Sequence, residues 1–220
     1  MPISAIKGVI WDVDNTLYRF DTVFEDACNR AAARTICTLV DGLSFDDAFK
    51  VAEASYAQHG YSGKALIAKY GIDYRDYHFP FHEEIDEKIL TRNDAMLQAL
   101  ADLNKPQVIV TNASRHWVEK ALAHLGLRDF FTDENIIALE DSDFEPKAYS
   151  RRPFDMARNR LSLPIENIIV VEDMAKNLKV PKEMGFTTAL IHHGRTPVEQ
   201  YNYIDLEFPD TLSLLEKLNA

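Results

Sequence analysis

The feature that most constrains the fold is the alternation of short apolar runs with helical segments over the second half of the chain. The runs are rich in Val and Ile, and the segments between them carry apolar side chains at helical spacing. Strands that alternate with helices in this order are typical of a parallel sheet with helices on both faces. The predicted strands are residues 6–11, 106–112, 135–141, 167–173, 187–193 and 201–208.

A long helical block interrupts this alternation after the first predicted strand. Residues 22–101 show helical spacing of apolar side chains and no convincing strand pattern. Ser44 fits a helix N-cap, and the acidic residues that follow it favour the positive end of a helix. The sequence therefore predicts an α/β chain, with a Rossmann-like doubly wound parallel sheet in residues 1–18 and 93–220. An inserted all-helical cap domain is predicted in residues 19–92.

Composition limits the classes of function that this chain can have. The 220 residues are 46% hydrophobic, which predicts a folded core, and the net charge of −11 argues against general binding of nucleic acids or anionic membranes. A small anionic substrate in a locally positive pocket remains compatible with that charge. No apolar run approaches the roughly 20 residues of a membrane span, and the first residues lack the features of a signal peptide. With Cys28 and Cys37 as its cysteines, the chain fits the reducing cytoplasm.

Polar side chains end or directly follow three of the predicted strands, and one lysine precedes a predicted helix. Because ligands in open α/β sheets bind outside the carboxyl ends of the strands, we expect these side chains to meet at one edge of the sheet. They comprise carboxylates, a hydroxyl, an amide and an ammonium group. The residues are Asp12, Asp14, Thr111, Asn112, Lys147, Glu172 and Asp173.

The carboxylates of this set predict a magnesium site. Asp12 and Asp14 are two residues apart, so in extended chain their side chains point to the same side. Two ionised carboxylates about 4 Å apart repel by roughly 4 kcal/mol at an effective dielectric near 20, and Glu172 and Asp173 add to that repulsion. Either one carboxyl group is protonated or a divalent cation lies among them. Oxygen ligands without Cys or His favour Mg²⁺.

With Mg²⁺ present, the same residues fill the roles that phosphoryl transfer requires. Asp12 is the candidate nucleophile, which would form an aspartyl-phosphate. Asp14 is the candidate acid/base that protonates the leaving oxygen and then activates water. Thr111, Asn112 and Lys147 are candidates for binding the phosphate oxygens as charge develops.

Each of these residues alone also has a plain structural explanation. A D-x-D pair is common in loops and helix caps, and Thr111 could simply bond the local backbone at a strand end. Lys147 could be a solvated surface lysine, and Glu172 and Asp173 could cap the next helix. Their joint occurrence at strand ends and a helix entrance favours a catalytic site over these separate explanations.

The motifs resemble those of the haloacid dehalogenase-like (HAD) hydrolases. "DVDNT" resembles the first motif of that family, "VTN" the second, Lys147 the third and "VVEDMAKN" the acidic fourth. The resemblance implies a Rossmann-like core, Mg²⁺, Asp12 as nucleophile, and Asp14 as an acid/base whose backbone carbonyl binds the metal. Members that cleave carbon–halogen bonds generally lack the second aspartate, so Asp14 favours phosphate chemistry. The third motif departs from the family pattern, because Ala148 follows the lysine where proline is usual.

Longer stretches resemble the pyrimidine 5′-nucleotidase-type subgroup of this family. They include "KYGIDYRDYHFPFH", "TNASRHWVEKALAHLGL" and "VVEDMAKNLKVPKEMGFTTALI". The resemblance implies hydrolysis of a nucleoside monophosphate such as UMP or CMP. The alternatives are a phosphatase for another small metabolite, such as phosphoglycolate or a sugar phosphate, a sugar-phosphate mutase, and a phosphate-binding regulatory protein. A phosphotransfer receiver uses similar residues, but it is normally nearer half this length.

Further candidates lie outside the four motifs. Tyr18 lies where the chain leaves the predicted core for the cap, and we expect it to bind substrate at the mouth of the pocket. His78 and His82 have the spacing of a metal-binding pair, but Pro80 between them disfavours a regular helix interior. We therefore expect a pocket-lining or structural role for these histidines rather than a zinc site. Trp117 is predicted to lie in the core.

Overall fold

The structure is a computed structural model that describes residues 2–59, 61–194 and 201–220. The chain forms two compact units, one of Met1–Arg19 with Thr91–Ala220 and one of Phe20–Leu90. Within the described residues, no helix has the length and apolar character needed to cross a bilayer. Each unit is described separately below.

The unit of residues 20–90 is helical, as its spacing of apolar side chains predicts. Its longest helix packs against the other three through a face of small and apolar side chains that includes Ala32 and Ile36. Asp21 caps this helix by accepting a hydrogen bond from the backbone of Phe24 at 2.9 Å. The helices are α1 Thr22–Leu39, α2 Phe45–His59, α3 Gly63–Tyr70 and α4 Tyr74–Glu83.

Pro80 lies inside α4, although proline disfavours a regular helix interior. Proline removes one helical hydrogen bond, here the bond to the carbonyl of Asp76. Both Pro80 and Asp76 are exposed, so water can satisfy that carbonyl. The carbonyl of Pro80 still accepts a hydrogen bond from the backbone of Glu84 at 3.2 Å, and the helix continues to its end.

The other unit contains a six-stranded sheet in which each neighbouring pair of strands is parallel. The strand order is 3-2-1-4-5-6, so the first strand lies at the centre. The first, fourth and fifth strands are buried along their whole length, as expected for a sheet covered on both faces. This confirms the predicted doubly wound parallel sheet. The strands are β1 Gly8–Trp11, β2 Gln107–Val110, β3 Ile136–Ile137, β4 Ile168–Glu172, β5 Thr187–Ile191 and β6 Leu206–Phe208.

Five helices complete the sheet unit within the described residues. Side chains of the helix after β3, among them Phe154 and Ala157, pack on Ile10, Val108 and Val170 of the central strands. This packing fixes the central strands and therefore the positions at which they end. The helices are α5 Asp94–Asp102, α6 Arg115–Leu125, α7 Arg152–Leu161, α8 Lys179–Met184 and α9 Thr211–Asn219.

All six strands are shorter than predicted; the strand predicted over 201–208, for example, covers only Leu206–Phe208. Local hydrogen bonds accompany two departures from regular structure near the site. The strand predicted over 135–141 ends at Ile137, because the Asp141 carboxylate accepts the backbone N–H of Ala138 at 2.8 Å and turns the chain. The helical segment after β4 begins as a 3-10 turn, Ala175–Leu178, before α8. In that turn the side chain of Asn177 donates to Glu172 at 2.7 Å. Both departures lie beside the carboxyl ends of strands.

Candidate active site

The register of the sheet brings the ends of its three central strands to one edge. Trp11 of β1 pairs with Ile109 of β2 and with Val171 of β4. The backbone N–H of Asp12 donates to the Val171 carbonyl at 3.0 Å, which continues the ladder one residue past β1. The polar residues that end or follow these strands therefore lie side by side, as the strand pattern of the sequence predicts.

The chain turns tightly after β1. The N–H of Leu17 donates to the carbonyl of Val13 at 2.9 Å, as in one turn of a helix. Asn15 adopts a left-handed conformation, with φ of 60°, which few residues other than glycine and asparagine tolerate well. This turn lets side chains four residues apart face each other.

Two such pairs hold the two aspartates of the first motif. The hydroxyl of Thr16 donates to Asp12 Oδ2 at 3.0 Å, and the hydroxyl of Tyr18 donates to Asp14 Oδ1. Asp12 is buried and Asp14 is partly buried. Each carboxylate is therefore oriented by a hydroxyl from the same turn. The contact that the Tyr18 hydroxyl makes is with Asp14, and binding of substrate by Tyr18 remains a prediction.

Lys147 lies at the centre of the strand ends, although Ala148 replaces the usual proline after it. Its Nζ contacts Asp12 Oδ1 and lies 2.6 Å from Glu172 Oε1. The same Nζ donates to the Val110 carbonyl at 3.1 Å, and 3% of the side chain is exposed. The lysine is thus a buried cation between two carboxylates and not a surface side chain.

The second motif is placed beside this lysine. Asn112 accepts the backbone N–H of Lys147 at 3.1 Å, which ties the loop after β3 to the end of β2. Thr111 is buried, and its hydroxyl oxygen accepts the backbone N–H of Ala113 at 3.0 Å. That bond is the local role that a strand-end threonine commonly has. Contact of Thr111 and Asn112 with a phosphate group therefore stays a prediction.

Three carboxylates form the candidate metal site. Oxygen atoms of Asp12, Glu172 and Asp173 all lie within 4.8 Å of one another. Asp173 Oδ2 accepts a hydrogen bond from Asn15 Nδ2 at 2.7 Å, which orients it towards the loop after β1. Carboxylate oxygens without sulfur or imidazole ligands fit a hard cation such as Mg²⁺.

Glu172 is the most enclosed member of this cluster. It is 1% exposed, and its Oε2 accepts the backbone N–H of Met174 at 2.7 Å. Its Oε1 contacts Lys147 and accepts from Asn177 Nδ2 at 2.7 Å. With these donors, Glu172 serves as an anchor for Lys147 as well as a candidate metal ligand.

The crowding of acidic groups raises the pKa values of the aspartates. Burial, followed by the charge of Glu172, raises the pKa of Asp12 from 3.8 to about 7, although Lys147 opposes this shift. Burial and the same glutamate raise the pKa of Asp173 well above its ordinary value. Burial alone lowers the pKa of Lys147, but the charges of Asp12 and Glu172 outweigh burial and raise it. The lysine therefore stays charged at neutral pH.

Asp14 has different surroundings from the metal cluster. Its Oδ1 accepts hydrogen bonds from the Tyr18 hydroxyl and from Trp117 Nε1, the latter at 2.9 Å. Burial raises the pKa of Asp14 from its ordinary value, while these two donors lower it and leave a net upward shift. The carboxyl group of Asp14 is not among the three clustered carboxylates.

Several residues around the site were not predicted from the sequence. Trp117 is buried as predicted, but its indole also contacts Asp14. The sequence carried a signal for this contact, because a buried tryptophan at the start of a helix needs a hydrogen-bond acceptor for its N–H group. Asn15 and Asn177 hold carboxylates of the cluster. His193, with φ of 51°, has its Nε2 2.6 Å from the carbonyl oxygen of Asn15.

The two histidines of α4 lie in the helical unit and form no metal site that the described residues show. His82 Nδ1 lies 2.7 Å from the carbonyl oxygen of His78, and the two ring centroids are 4.7 Å apart. The candidate metal cluster found among the described residues consists of carboxylates and includes neither histidine. Both side chains are buried, which agrees with a structural role.

Comparison with known proteins supports the same fold and family. The family model of the haloacid dehalogenase-like hydrolases matches residues 6–185. No curated protein matches the chain. The solved structures it resembles include CbbY from Rhodobacter sphaeroides in complex with phosphate, with a TM-score of 0.65 and 19% identity, over 98% of this chain and 100% of that one.

Two further solved structures show the range of chemistry on this fold. The HAD hydrolase YfnB from Bacillus subtilis, bound to magnesium, has a TM-score of 0.64 and 19% identity, over 98% of this chain and 99% of that one. L-2-haloacid dehalogenase from Xanthobacter autotrophicus has a TM-score of 0.62 and 16% identity, over 96% and 97% of the two chains. At these identities the likeness concerns the fold, so the choice of reaction depends on the site residues.

Proposed function

Since this chain belongs to the haloacid dehalogenase-like hydrolases, we propose that it is a Mg²⁺-dependent phosphomonoesterase that acts through an aspartyl-phosphate. The observation that carries the proposal is the contrast between Asp12 and Asp14. Asp12 lies in the carboxylate cluster beside Lys147, whereas Asp14 is held by two neutral donors outside that cluster. Two carboxyl groups with different surroundings are suited to different chemical roles.

In the first step, a carboxylate oxygen of Asp12 attacks the phosphorus atom of the substrate. An O–P bond forms to Asp12 as the P–O bond to the leaving alcohol breaks, and Asp14 gives its proton to that alcohol oxygen. Lys147, together with Thr111 and Asn112, binds the phosphate oxygens on which charge develops. The raised pKa of Asp14 supports this role, because the group must arrive protonated.

In the second step, water replaces the aspartate on phosphorus. Asp14, now ionised, takes a proton from the water, whose oxygen bonds to phosphorus as the bond to Asp12 breaks. Inorganic phosphate leaves, Asp12 is again a carboxylate, and Asp14 again carries its proton. The cycle consumes one water molecule and needs no other reactant.

The carboxylates of Asp12, Glu172 and Asp173, with the backbone carbonyl of Asp14, are the groups that would hold Mg²⁺. The donor set fits this ion, because it consists of oxygen atoms at the end of a parallel sheet. When bound, Mg²⁺ neutralises charge on the phosphate group and on the carboxylates. Lys147 adds a positive charge to the same site.

The substrate class that we propose is the pyrimidine nucleoside 5′-monophosphates, with UMP and CMP as its first members. The resemblance of three long sequence stretches to pyrimidine 5′-nucleotidases supports this choice. The presence of Asp14 favours a phosphate ester over a haloacid, because an alcohol leaving group needs a proton and a halide does not.

The test is phosphate release by the purified protein with Mg²⁺ over a panel of phosphomonoesters. The panel contains UMP, CMP, AMP, GMP, phosphoglycolate and several sugar phosphates, and chloride release from L-2-chloropropionate is measured in parallel. Asp12→Asn and an EDTA-treated sample are the controls. We expect a preference for UMP and CMP that both controls abolish.

Each other outcome changes a defined part of the proposal. Turnover of phosphoglycolate or a sugar phosphate would retain the chemistry and replace the substrate class. Chloride release without phosphate release would show a dehalogenase. Activity that persists in Asp12→Asn would remove the aspartyl-phosphate from the mechanism.

A further inference from the structure

Asp14 is held through one of its two oxygen atoms. The Tyr18 hydroxyl and Trp117 Nε1 both donate to Oδ1. Among the described residues, no hydrogen bond to Oδ2 accompanies them. An oxygen that already accepts two hydrogen bonds is poorly placed to carry or transfer a proton, so Oδ2 is the oxygen that can face a substrate.

Trp117 is buried, and its backbone is held at the start of α6. It is 1% exposed, and its backbone N–H donates to the N-cap hydroxyl of Ser114 at 3.3 Å in the first turn of α6. The indole therefore has little freedom to follow Asp14, and the carboxyl group has to take the orientation that the indole N–H sets. Tyr18 belongs to a different segment of the chain, the turn after β1.

We propose that Trp117 and Tyr18 are positioning residues that fix Oδ1 of Asp14 and so present Oδ2 to the leaving oxygen of the substrate. This inference rests on the proposed function, since it assigns the orientation of the group that acts there as acid and base. Proton transfer requires a donor within hydrogen-bond reach of the acceptor in a defined direction. A carboxyl group without these two donors would rotate about its terminal torsion, which is broad.

Two substrates with different leaving groups can show whether Trp117 and Tyr18 act in proton transfer or only in stability. Nitrophenolate departs readily without a proton, whereas the 5′-alkoxide of UMP needs one as it leaves. A defect in presenting the proton therefore lowers kcat/KM for UMP far more than for p-nitrophenyl phosphate. A defect in folding or in phosphate binding lowers both by the same factor.

The experiment measures kcat/KM for both substrates in Trp117→Phe and Tyr18→Phe. Each substitution removes one donor and keeps an aromatic ring in place. We expect kcat/KM to fall about ten- to a hundred-fold for UMP and less than about threefold for p-nitrophenyl phosphate, because loss of one positioning donor removes only part of the roughly 10²–10⁴-fold contribution of acid–base catalysis. Asp14→Asn removes the acid itself and should give the largest difference in kcat/KM between the two substrates.

Trp11→Phe is the matched control. It also removes a buried indole N–H, which donates to Gln107 Oε1 at 2.8 Å inside the sheet. We expect it to lower thermal stability while changing kcat/KM for the two substrates by equal factors.

The outcomes distinguish this inference from the proposed function. If Asp14→Asn separates the two substrates but Trp117→Phe and Tyr18→Phe lower both equally, the positioning role is overturned and the acid role stands. If Asp14→Asn does not separate them, or if the wild-type protein hydrolyses neither ester, the proposed function fails and the inference fails with it. Should Trp117→Phe not fold, the result with Tyr18→Phe decides, provided that the loss for UMP lies in kcat, since loss of a substrate contact would raise KM instead.

Discussion

At the scale of single residues, the site depends on one buried cation among carboxylates. Lys147 contacts Asp12 and Glu172, and none of the three side chains is more than 7% exposed. Burying charges is costly, and the attraction between them repays this cost only when each has partners. Here each has several, because Thr16 and Asn177 supply further hydrogen bonds to the two carboxylates. The lysine is therefore expected to contribute to stability, in addition to its proposed role in binding phosphate.

Replacing this lysine by an uncharged residue should destabilise the fold. Lys147→Met leaves Asp12 facing Glu172 without a cation, and we expect a loss of about 3–5 kcal/mol in the free energy of unfolding at pH 8. The measurement is urea denaturation in EDTA. Lys182→Met is the matched control, because Lys182 pairs with Asp205 where both side chains are partly exposed. It should cost about 1 kcal/mol or less, and an equally small loss in Lys147→Met would contradict this account.

The side chain of Asn15 should control metal affinity. Its amide orients Asp173, and its backbone is left-handed. Asn15→Gly keeps a residue that accepts this backbone and removes the amide. We expect Mg²⁺ to bind about ten- to a hundred-fold more weakly, as is usual when a group that orients a metal ligand is lost.

Calorimetric titration of Asn15→Gly with Mg²⁺ checks this expectation. Asn219→Gly serves as a control for loss of an amide at a distance, because that side chain donates to the carbonyl of Ala99 on the surface. Unchanged affinity in Asn15→Gly would show that Asp173 is oriented without the amide.

At the scale of elements, the helix that follows β2 connects fold and site. The N-cap of α6, Ser114, is fully buried and accepts the backbone N–H of Trp117. Ser114→Ala should cost about 1 kcal/mol in stability, as loss of an N-cap does, and should also lower kcat/KM for UMP because the indole loses its anchor. Asn93→Ala removes the cap of α5 and its bond to Met96. It should cost a similar stability and leave kcat/KM unchanged.

Thermal denaturation and steady-state kinetics on both cap variants make this comparison. If both variants lose activity in proportion to stability, α6 has no special link to the site. If Ser114→Ala alone loses activity, the position of Trp117 depends on the helix start.

The elements also show what could be predicted from the sequence. The alternating pattern predicts parallel strands, and ligands in such sheets bind outside the carboxyl ends of the strands. The sequence therefore predicts that Asp12, Thr111 and Glu172 lie at one edge, and the strand order of the structure brings β2, β1 and β4 side by side there. The contact between Trp117 and Asp14 could not be predicted, because it joins residues from two different elements and depends on the rotation of α6. Side-chain partners of this kind are set by packing rather than by local pattern.

At the scale of the whole molecule, the acidic site makes stability depend on pH. The pKa of Asp12 rises from 3.8 to about 7 on folding, with burial and Glu172 as the main causes, and the pKa of Asp173 shifts in the same direction. A carboxyl group whose pKa is raised on folding binds its proton more tightly in the folded chain than in the unfolded chain. Its stabilising contribution is complete below about pH 4 and is lost as the pH rises through about 7.

The metal-free protein should therefore become less stable between pH 5 and pH 8. Each proton that the folded chain binds and the unfolded chain does not lowers the free energy of unfolding by up to about 1.4 kcal/mol for each unit rise in pH. Urea denaturation in EDTA at several pH values measures the slope, and Asp12→Asn should flatten it. A stability that rises over this interval in the wild-type protein would contradict the assigned pKa of Asp12.

Magnesium should reverse this trend, because a metal ion and a proton compete for the same carboxylates. Binding to Asp12 requires the ionised form, so affinity rises as the pH passes through about 7. A ligand that binds the folded state stabilises it in proportion to the logarithm of its concentration over Kd. The measurement is the increase in Tm on addition of MgCl₂ at about 5 mM. We expect this increase to be larger at pH 8 than at pH 5.5 and absent in Asp12→Asn. An equal increase in Tm at both pH values would show that Mg²⁺ binds without displacing a proton, and the cluster of Asp12, Glu172 and Asp173 would then not be its site.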